Sequence, residues 1–313
     1  MKTPIVSVVM PAFNAAAFVI EAIDSALASR DVTVEVIVVD DCSPDATAAI
    51  VEKVDDPRVR LLRQTDRRGA PAARNRGLNE ATAEYVQFLD ADDVLEPTKI
   101  ARCLAEFTAK PELGSVFTGA YHFSAAAGRS IGADYPPMDG SPLEYLLGRL
   151  FQTACGLHRR RAVLAIGGFR EGLKRGQEYD LHLRLAVSGV AMTYIPERLV
   201  GLREHKSPDR ITNVPATADQ LADLTCGVVE LALRQNHLAD SEKNALAEAA
   251  MLSGMSSYRA GSAEMGRRCL DLATRLYPKV KYPHQSVLAR AAAQGIGPAG
   301  TEGLLRSARK LVR

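Results

Sequence analysis

The chain has 313 residues, a net charge of +2, 47% hydrophobic and 24% charged residues. That balance is ordinary for one large globular domain or two, and it excludes a strong electrostatic pull toward nucleic acid, so no nucleic-acid partner is expected. No apolar run reaches the length of a membrane-spanning helix, and the five cysteines (Cys42, Cys103, Cys155, Cys226, Cys269) lack a C-x-x-C spacing, which argues against a disulfide frame or zinc site and for reduced thiols in the cytoplasm.

Residues 5–10, IVSVVM, form an apolar run that is too short for a secretion leader and reads as a first strand, closed by Pro11. Apolar residues Phe18, Ala22, Ile23, Ala26 and Leu27 then recur at helical spacing within 15–29. Val34 to Val39 is a second strand that runs into Asp40 and Asp41. Ser43 and Pro44 predict the next helix start, as N-cap and first helical residue. Val59 to Leu62 is a third strand, 70–82 an Ala-rich helix, Tyr85 to Leu89 a fourth strand and 97–109 a helix. Strands and helices in alternation predict a parallel sheet covered on both faces, with all its strand C-terminal ends on one edge.

Polar residues gather at that edge. Asn14, Asp40, Asp41, Asp90, Asp92 and Asp93 all follow strand ends, where open α/β sheets bind ligands. If strand geometry continues past Leu89, Asp90 and Asp92 point the same way and make a seat for a hard divalent cation. Asp93 reads mostly as a cap for the helix that follows, and Asp40–Asp41 are also compatible with capping. Neither a G-x-G-x-x-G fingerprint nor a P-loop follows the first strand. Arg74 sits in an Ala-rich face, where a charge needs a partner: a phosphate or an acid of the crevice. Arg67 and Arg68 suit that role or a solvated basic face.

Beyond residue 110, a strand is expected over 113–123, a loop over 124–140, a short helix over 142–150 and a strand over 151–157. Gly167 reads as a helix C-cap after RAVLAI. Residues 175–181 open a helix with an acidic first turn, and AMTYI and RLVGLREH follow. A polar linker is expected over 207–216. Leu221, Leu224, Val228 and Leu231 begin a helical stripe, and 245–277 resembles one helical hairpin of the tetratricopeptide type. The tail from Gly303 places Leu304, Leu305, Ala308, Leu311 and Val312 on one face and Arg306, Arg309, Lys310 and Arg313 largely on the other. That pattern suits peripheral contact with an anionic membrane, an exposed basic terminus, or a helix packed on the domain.

IVSVVMPAFN, VIVVDDCSPDAT, GAPAARNRGL and YVQFLDADD, in this order, resemble the family-2 inverting glycosyltransferases of GT-A fold, and AIGGFREG, GQEYDLHLRLA and REH extend the likeness to about residue 205. The resemblance implies an α/β fold with a Rossmann-like mixed sheet and helices on both faces, plus a C-terminal helical region. The expected division is a catalytic domain over 1–206, a linker over 207–216 and helices over 217–313. By resemblance, Pro11, Ala12, Phe13, Asn14 and Asp41 line the base and ribose of a nucleotide-sugar, with Arg74 close by. Asp90, Ala91 and Asp92 match the D-x-D motif, Asp90 toward the ribose and Asp92 holding Mn2+ or Mg2+ against the diphosphate. His205 falls at a position near the metal. Gly167 to Phe169 falls near the acceptor. Glu178 falls where the family's catalytic base sits, although the family often has Glu-Asp where this chain has Gln177-Glu178. Gln177 cannot ionise and is positional; Asp180 is the second-choice base, better explained as a structural anchor. The implied activity is metal-dependent inverting transfer from a UDP-sugar to a cell-surface glycan or lipid-linked acceptor, in the cytoplasm or at the inner face of the membrane. A nucleotidyltransferase or a non-catalytic sugar-nucleotide scaffold are the alternatives.

Overall fold

The computed structural model describes residues 5–124, 128–131, 135–205 and 216–281. Strands β1 (Val6–Ala12), β2 (Val34–Asp40), β3 (Val59–Arg63) and β4 (Tyr85–Phe88) form the expected parallel group, with β1 between β2 and β4 and β3 outside β2. Every residue of β1 and β2 is buried, which is why these strands are mostly apolar, interrupted by Ser7 in β1 and by Glu35 and the closing Asp40 in β2, rather than regularly alternating. Helices α1 (Val19–Leu27), α2 (Thr47–Val51), α3 (Ala70–Glu80) and α4 (Lys99–Ala109) join or follow them. α3 lies close against the sheet at Gly77, where a Cβ would come within 2.4 Å of Val9.

Beyond β4 the sheet turns mixed. It continues through β5 (Val94–Leu95), β6 (Leu113–Ser124), β7 (Gly128–Ile131), β8 (Gly156–Arg159) and β9 (Ala191–Arg203). The order is β3-β2-β1-β4-β8-β6-β9-β5, with β7 beside β6. β8 runs antiparallel to β4 and β6, whereas β9 is parallel to β6. This mixed sheet with flanking helices is the GT-A architecture that the resemblance implies. Helices α5 (Pro142–Leu146), α6 (Arg160–Ala165) and α7 (Gln177–Val187) fall between these strands.

Local expectations fail where side chains find long-range partners. The second helix begins at Thr47, not at Ser43. Asp45 accepts from the Thr47 N–H at 3.0 Å, and the Ser43 hydroxyl instead accepts from the Asn14 N–H at 3.1 Å. The strand expected over 151–157 is a 3-10 turn, Thr153–Cys155, that leads into β8. The expected loop over 124–140 contains β7. Asp93 does not cap α4, which has Thr98 at its N-cap; its carboxylate accepts from the Arg203 N–H on β9 at 2.9 Å.

The chain forms two compact units. One comprises Met1–Pro142, Leu150–Leu181 and Val190–Asn213; the other comprises Leu143–Arg149, His182–Gly189 and Val214–Arg313. Within the second, α8 (Ala218–Ala232), α9 (Asp240–Ala260) and α10 (Ala263–Leu276) pack together. Thr217 and Gln220 form a capping box on α8. Asp219 accepts from the hydroxyls of Ser257 and Ser262, tying α8 to the last turn of α9 and to the start of α10. The helix pair α9–α10 approaches closely at Gly254 and Gly266, where a Cβ on Gly266 would meet the Gly254 carbonyl at 2.8 Å. No helix among the described residues is long and apolar enough to cross a membrane. The basic tail from Gly303 and most of the 207–216 linker lie outside the described residues.

Candidate active site

A cavity of about 350 Å3 opens at the C-terminal edge of the parallel strands. Its walls come from the segments after β1, β2, β3, β4 and β9, with additions from β6 and from Gln152. The end of β1 supplies Pro11 and Ala12, and the segment after it Phe13 and Asn14. Asn14 and Cys42 adopt left-handed backbone, φ 51° and 61°, a conformation that Asn reaches more easily than most side chains. Both strands thus end in sharp turns that leave the edge open.

Asp41 follows β2, buried in the cavity wall. Its Oδ1 accepts from Gln64 Nε2 at 2.6 Å and from the Arg68 N–H at 2.8 Å, and its Oδ2 accepts from the Gly69 N–H at 2.8 Å. A single carboxylate therefore pins the loop between β3 and α3. That loop carries Arg67, whose guanidinium lies 3.7 Å from the Phe13 ring centroid. Arg67 lines the cavity while remaining exposed to solvent; Arg68, also exposed, pairs with Glu171 at 3.0 Å.

Asp90 to Asp93 form a turn, closed by the Asp93 N–H donating to the Asp90 carbonyl at 3.0 Å. β4 has ended at Phe88, so strand alternation does not govern this stretch. Asp90 and Asp92 consequently meet different partners. Asp90 Oδ1 accepts from Arg74 Nη2 at 2.5 Å, while Asp92 Oδ2 faces His205 Nε2 at 2.9 Å. His205 packs against Phe18 with ring centroids 4.6 Å apart and the rings tilted by 44°. Arg203 braces the turn from β9, its Nε donating to the Asp92 carbonyl at 2.9 Å.

Arg74 is 4% exposed. Besides Asp90 it reaches Gln177, donating from Nη1 to Oε1 at 2.8 Å, and its Cζ lies 5.1 Å from the Phe169 ring centroid. Phe169 is held in turn by Asn75, which accepts from its N–H and donates to its carbonyl, both at 2.8 Å. Gly167 and Gly168 end α6 with φ 79° and 68°, their N–H groups donating back to Leu164 and Val163. Ile166 is the C-cap of α6, and Gly167 is the left-handed residue just after it, where a helix-ending glycine is favoured.

Glu178 stands in the first turn of α7, half-buried, beside Gln177 and outside the cavity wall proper. Burial pushes its carboxyl above the ordinary range; Asp90 adds to this, and Arg74 and Arg175 partly offset it. Asp180 is 1% exposed and lies 3.5 Å from Arg170 Nε, the placing of a structural anchor.

Among the described residues no group of three or more His, Cys, Asp or Glu side chains is arranged to hold a metal. Asp92 and His205 nevertheless converge in the cavity as a carboxylate–imidazole pair. The Asp92 carboxylate fits a cation whose remaining positions are filled by substrate phosphates and water, the habit of Mg2+ in phosphate sites, with the His205 imidazole beside it. The cavity also contains His122 and Gln152, which the sequence reading did not single out. His122 lies within β6 opposite Leu202 of β9. It follows no strand end and belongs to no local motif, so only the register of two distant strands reveals it.

Comparison with known proteins agrees with this geometry. Residues 7–159 match the family model Glycosyl transferase family 2. The chain is 47% identical over 103 residues to the succinoglycan biosynthesis protein ExoO of Rhizobium meliloti, covering 33% of this chain and 30% of that protein. It is 30% identical over 195 residues to the hyaluronan synthase of Pasteurella multocida, covering 60% of this chain and 19% of that protein. The matches thus span less than a third of either relative. The fold superposes on S. aureus TarS 1–349 in complex with UDP-GlcNAc with a TM-score of 0.72 at 17% identity, covering 97% of this chain and 91% of that one. The mannosyltransferase PcManGT from Pyrobaculum calidifontis, in complex with GDP-Man and Mn2+, superposes with a TM-score of 0.56 at 19% identity over 98% of this chain and 85% of that one. The mixed sheet, the motifs at its strand ends and the family match place residues 7–159 of this chain in glycosyl transferase family 2, with a GT-A fold.

Proposed function

We propose that this protein is an inverting glycosyltransferase that moves a sugar from a nucleoside diphosphate donor, UDP-sugar first, to a hydroxyl of a glycan or lipid-linked acceptor in polysaccharide synthesis. The observation that carries the reading is the cavity itself. It gathers an aromatic face (Phe13), a carboxylate–imidazole pair (Asp92, His205) and the Arg74–Asp90 pair at the edge where α/β sheets bind nucleotides. The names of the relatives and the nucleotide-sugars bound by the two superposed structures support it.

In this reading Pro11 to Asn14 and the Asp41-pinned loop hold the nucleotide, with the Phe13 ring against one face of the base. Asp90 and Ala91 complete that wall, Asp90 toward the ribose. Asp92 and His205 would hold Mn2+ or Mg2+, which when bound neutralises charge on the diphosphate leaving group. Glu178 accepts the acceptor hydroxyl's proton as the new bond to the anomeric carbon forms and the bond to the diphosphate oxygen breaks. Attack from the face opposite the diphosphate inverts the anomeric centre. A carboxylate raised above its ordinary pKa is, in its ionised form, a stronger proton acceptor. The basic tail, if it contacts an anionic membrane, would bring the site to a lipid-linked acceptor.

Calorimetric titration of UDP- and GDP-sugars with and without Mn2+ tests this reading. Binding is expected to need the metal, and Asp92→Ala is expected to weaken the metal-dependent part by about 10- to 100-fold. Metal-independent binding that Asp92→Ala leaves unchanged would remove the metal role. Donors that bind without any sugar transfer or release in the presence of lipid and glycan extracts would remove the enzyme.

A further inference from the structure

We infer that Arg74 and Gln177 form a positioning link that ties the first turn of α7, and with it Glu178, to the Asp90 carboxylate on the nucleotide side of the cavity. The inference rests on the proposed function and adds to it a coupling between donor binding and the proton-accepting group.

The link is built from side chains with little freedom. Arg74 projects from α3, and its two terminal nitrogens go to different elements: Nη2 to Asp90 after β4, Nη1 to Gln177 at the start of α7. A guanidinium is a planar fork, so these two directions are fixed relative to each other. The Phe169 ring lies against the guanidinium, and Asn75, next to Arg74 on the same helix, fixes Phe169 through both backbone groups. Gly168 fits this arrangement because any Cβ there would stand 2.4 Å from Asn75 Oδ1. Gln177 is itself locked: its Oε1 accepts from Arg74 while its Nε2 donates to the Leu173 carbonyl at 2.9 Å. An amide does both; a carboxylate could only accept and an aliphatic side chain could do neither.

Arg74 therefore acts through others. Both terminal nitrogens already have protein acceptors, and the side chain is almost fully buried. A nucleotide that draws on Asp90 shifts the partner of Nη2, and the rigid fork carries the displacement to Gln177 and the turn that bears Glu178. A contiguous chain of hydrogen bonds is the physical requirement for such coupling. The charged groups that face Glu178 are Arg74, Asp90 and Arg175, so the same link also sets its electrostatic surroundings.

The test uses the full chain with Mn2+ and UDP, and with the donor sugar that the wild-type protein turns over. Hydrogen–deuterium exchange of the wild type should slow at residues 178–181 on addition of Mn2+ and UDP, and that response should vanish in Gln177→Leu. The Leu variant should bind UDP within about twofold of wild type but lose kcat by about 10- to 100-fold, the scale of a misplaced reacting group. Gln177→Glu keeps an acceptor for Arg74, so it should recover much of kcat, while the acidic limb of its pH profile moves to higher pH because a second carboxylate stands beside Glu178. Arg74→Lys, which keeps the charge but breaks the fork, should behave like Gln177→Leu in exchange. UDP binding without any response at α7, or a Gln177→Leu variant with wild-type kcat and pH profile, overturns the link alone. A wild-type protein that binds no nucleotide diphosphate overturns the donor reading and the link with it.

Discussion

Glu35 on β2 and Glu178 on α7 are both carboxylates drawn into the protein, and their surroundings drive them in opposite directions. Burial is the largest single influence on each and pushes each upward. At Glu35 it is outweighed: Ser7 Oγ, the Thr82 N–H and Thr82 Oγ1 all donate to Oε1, at 2.6, 2.9 and 2.7 Å, and Arg60 lies 3.7 Å from Oε2. Its pKa ends below the ordinary value. At Glu178 the lowering influences do not overcome burial, and its pKa ends above it. The parallel half of the sheet satisfies its buried charge and locks it in place. The first turn of α7 leaves its carboxylate basic, which is what a proton acceptor needs. A carboxylate's burial alone does not say which of these it is; its hydrogen-bond donors do.

The largest effect should come from removing the basic one. Glu178→Gln is expected to leave donor binding within about twofold and to lower kcat by about 10²- to 10⁴-fold, the usual worth of a positioned general base. In the wild type kcat should fall as pH is lowered, with its midpoint above the ordinary glutamate value of 4.5, because the ionised form accepts the proton. Stopped assays over a pH series with saturating donor would show this. Wild-type turnover in Glu178→Gln would move the base elsewhere.

The parallel half could be read from the residues alone because its strands are mostly apolar and have polar residues at or close behind their ends. Asn14, Asp41, Asp90 and Asp92 all lie within a few residues of a strand end and do line the cavity. The partners of those residues could not be read. Asp41 pins a loop more than twenty residues away, and Asp93 joins a strand beyond residue 190. In the mixed half, short strands and turns broke the pattern: β8 starts at Gly156, and His122 enters the cavity from within β6 through strand register. Glu178 was found by family likeness, since nothing in its local spacing separates a base from an acid that favours a helix N-terminus.

Breaking the satisfied carboxylate gives the second test of the contrast. Glu35→Leu removes the shared acceptor of Ser7 and Thr82 and leaves the fully buried Ser7 hydroxyl without it. A loss of roughly 3 kcal/mol is expected, since hydrogen bonds to a charged group carry more than neutral ones. Urea denaturation would measure the loss, and kcat of the folded fraction should stay at the wild-type level. Loss of turnover without loss of stability would contradict the division between a locked and a working carboxylate.

One turn after Glu178 on the same helix, His182 extends the contrast to a base that burial keeps neutral. It is 2% exposed, and burial pushes its pKa down to about 3. An unfolded histidine protonates near pH 6.5, so between about 6.5 and 3 the unfolded chain binds more protons than the folded one. Stability therefore falls as pH drops through that window, and at pH 5 the contribution of this residue is a loss of about 2 kcal/mol relative to pH 7. Denaturation curves at both pH values would report the total, to which other groups also contribute. His182→Gln is neutral at both, so the difference between wild type and variant isolates the histidine. The variant should lose less stability on going from pH 7 to pH 5 than the wild type does; an equal loss would mean that His182 is protonated in the folded protein and that burial on α7 does not favour neutral side chains.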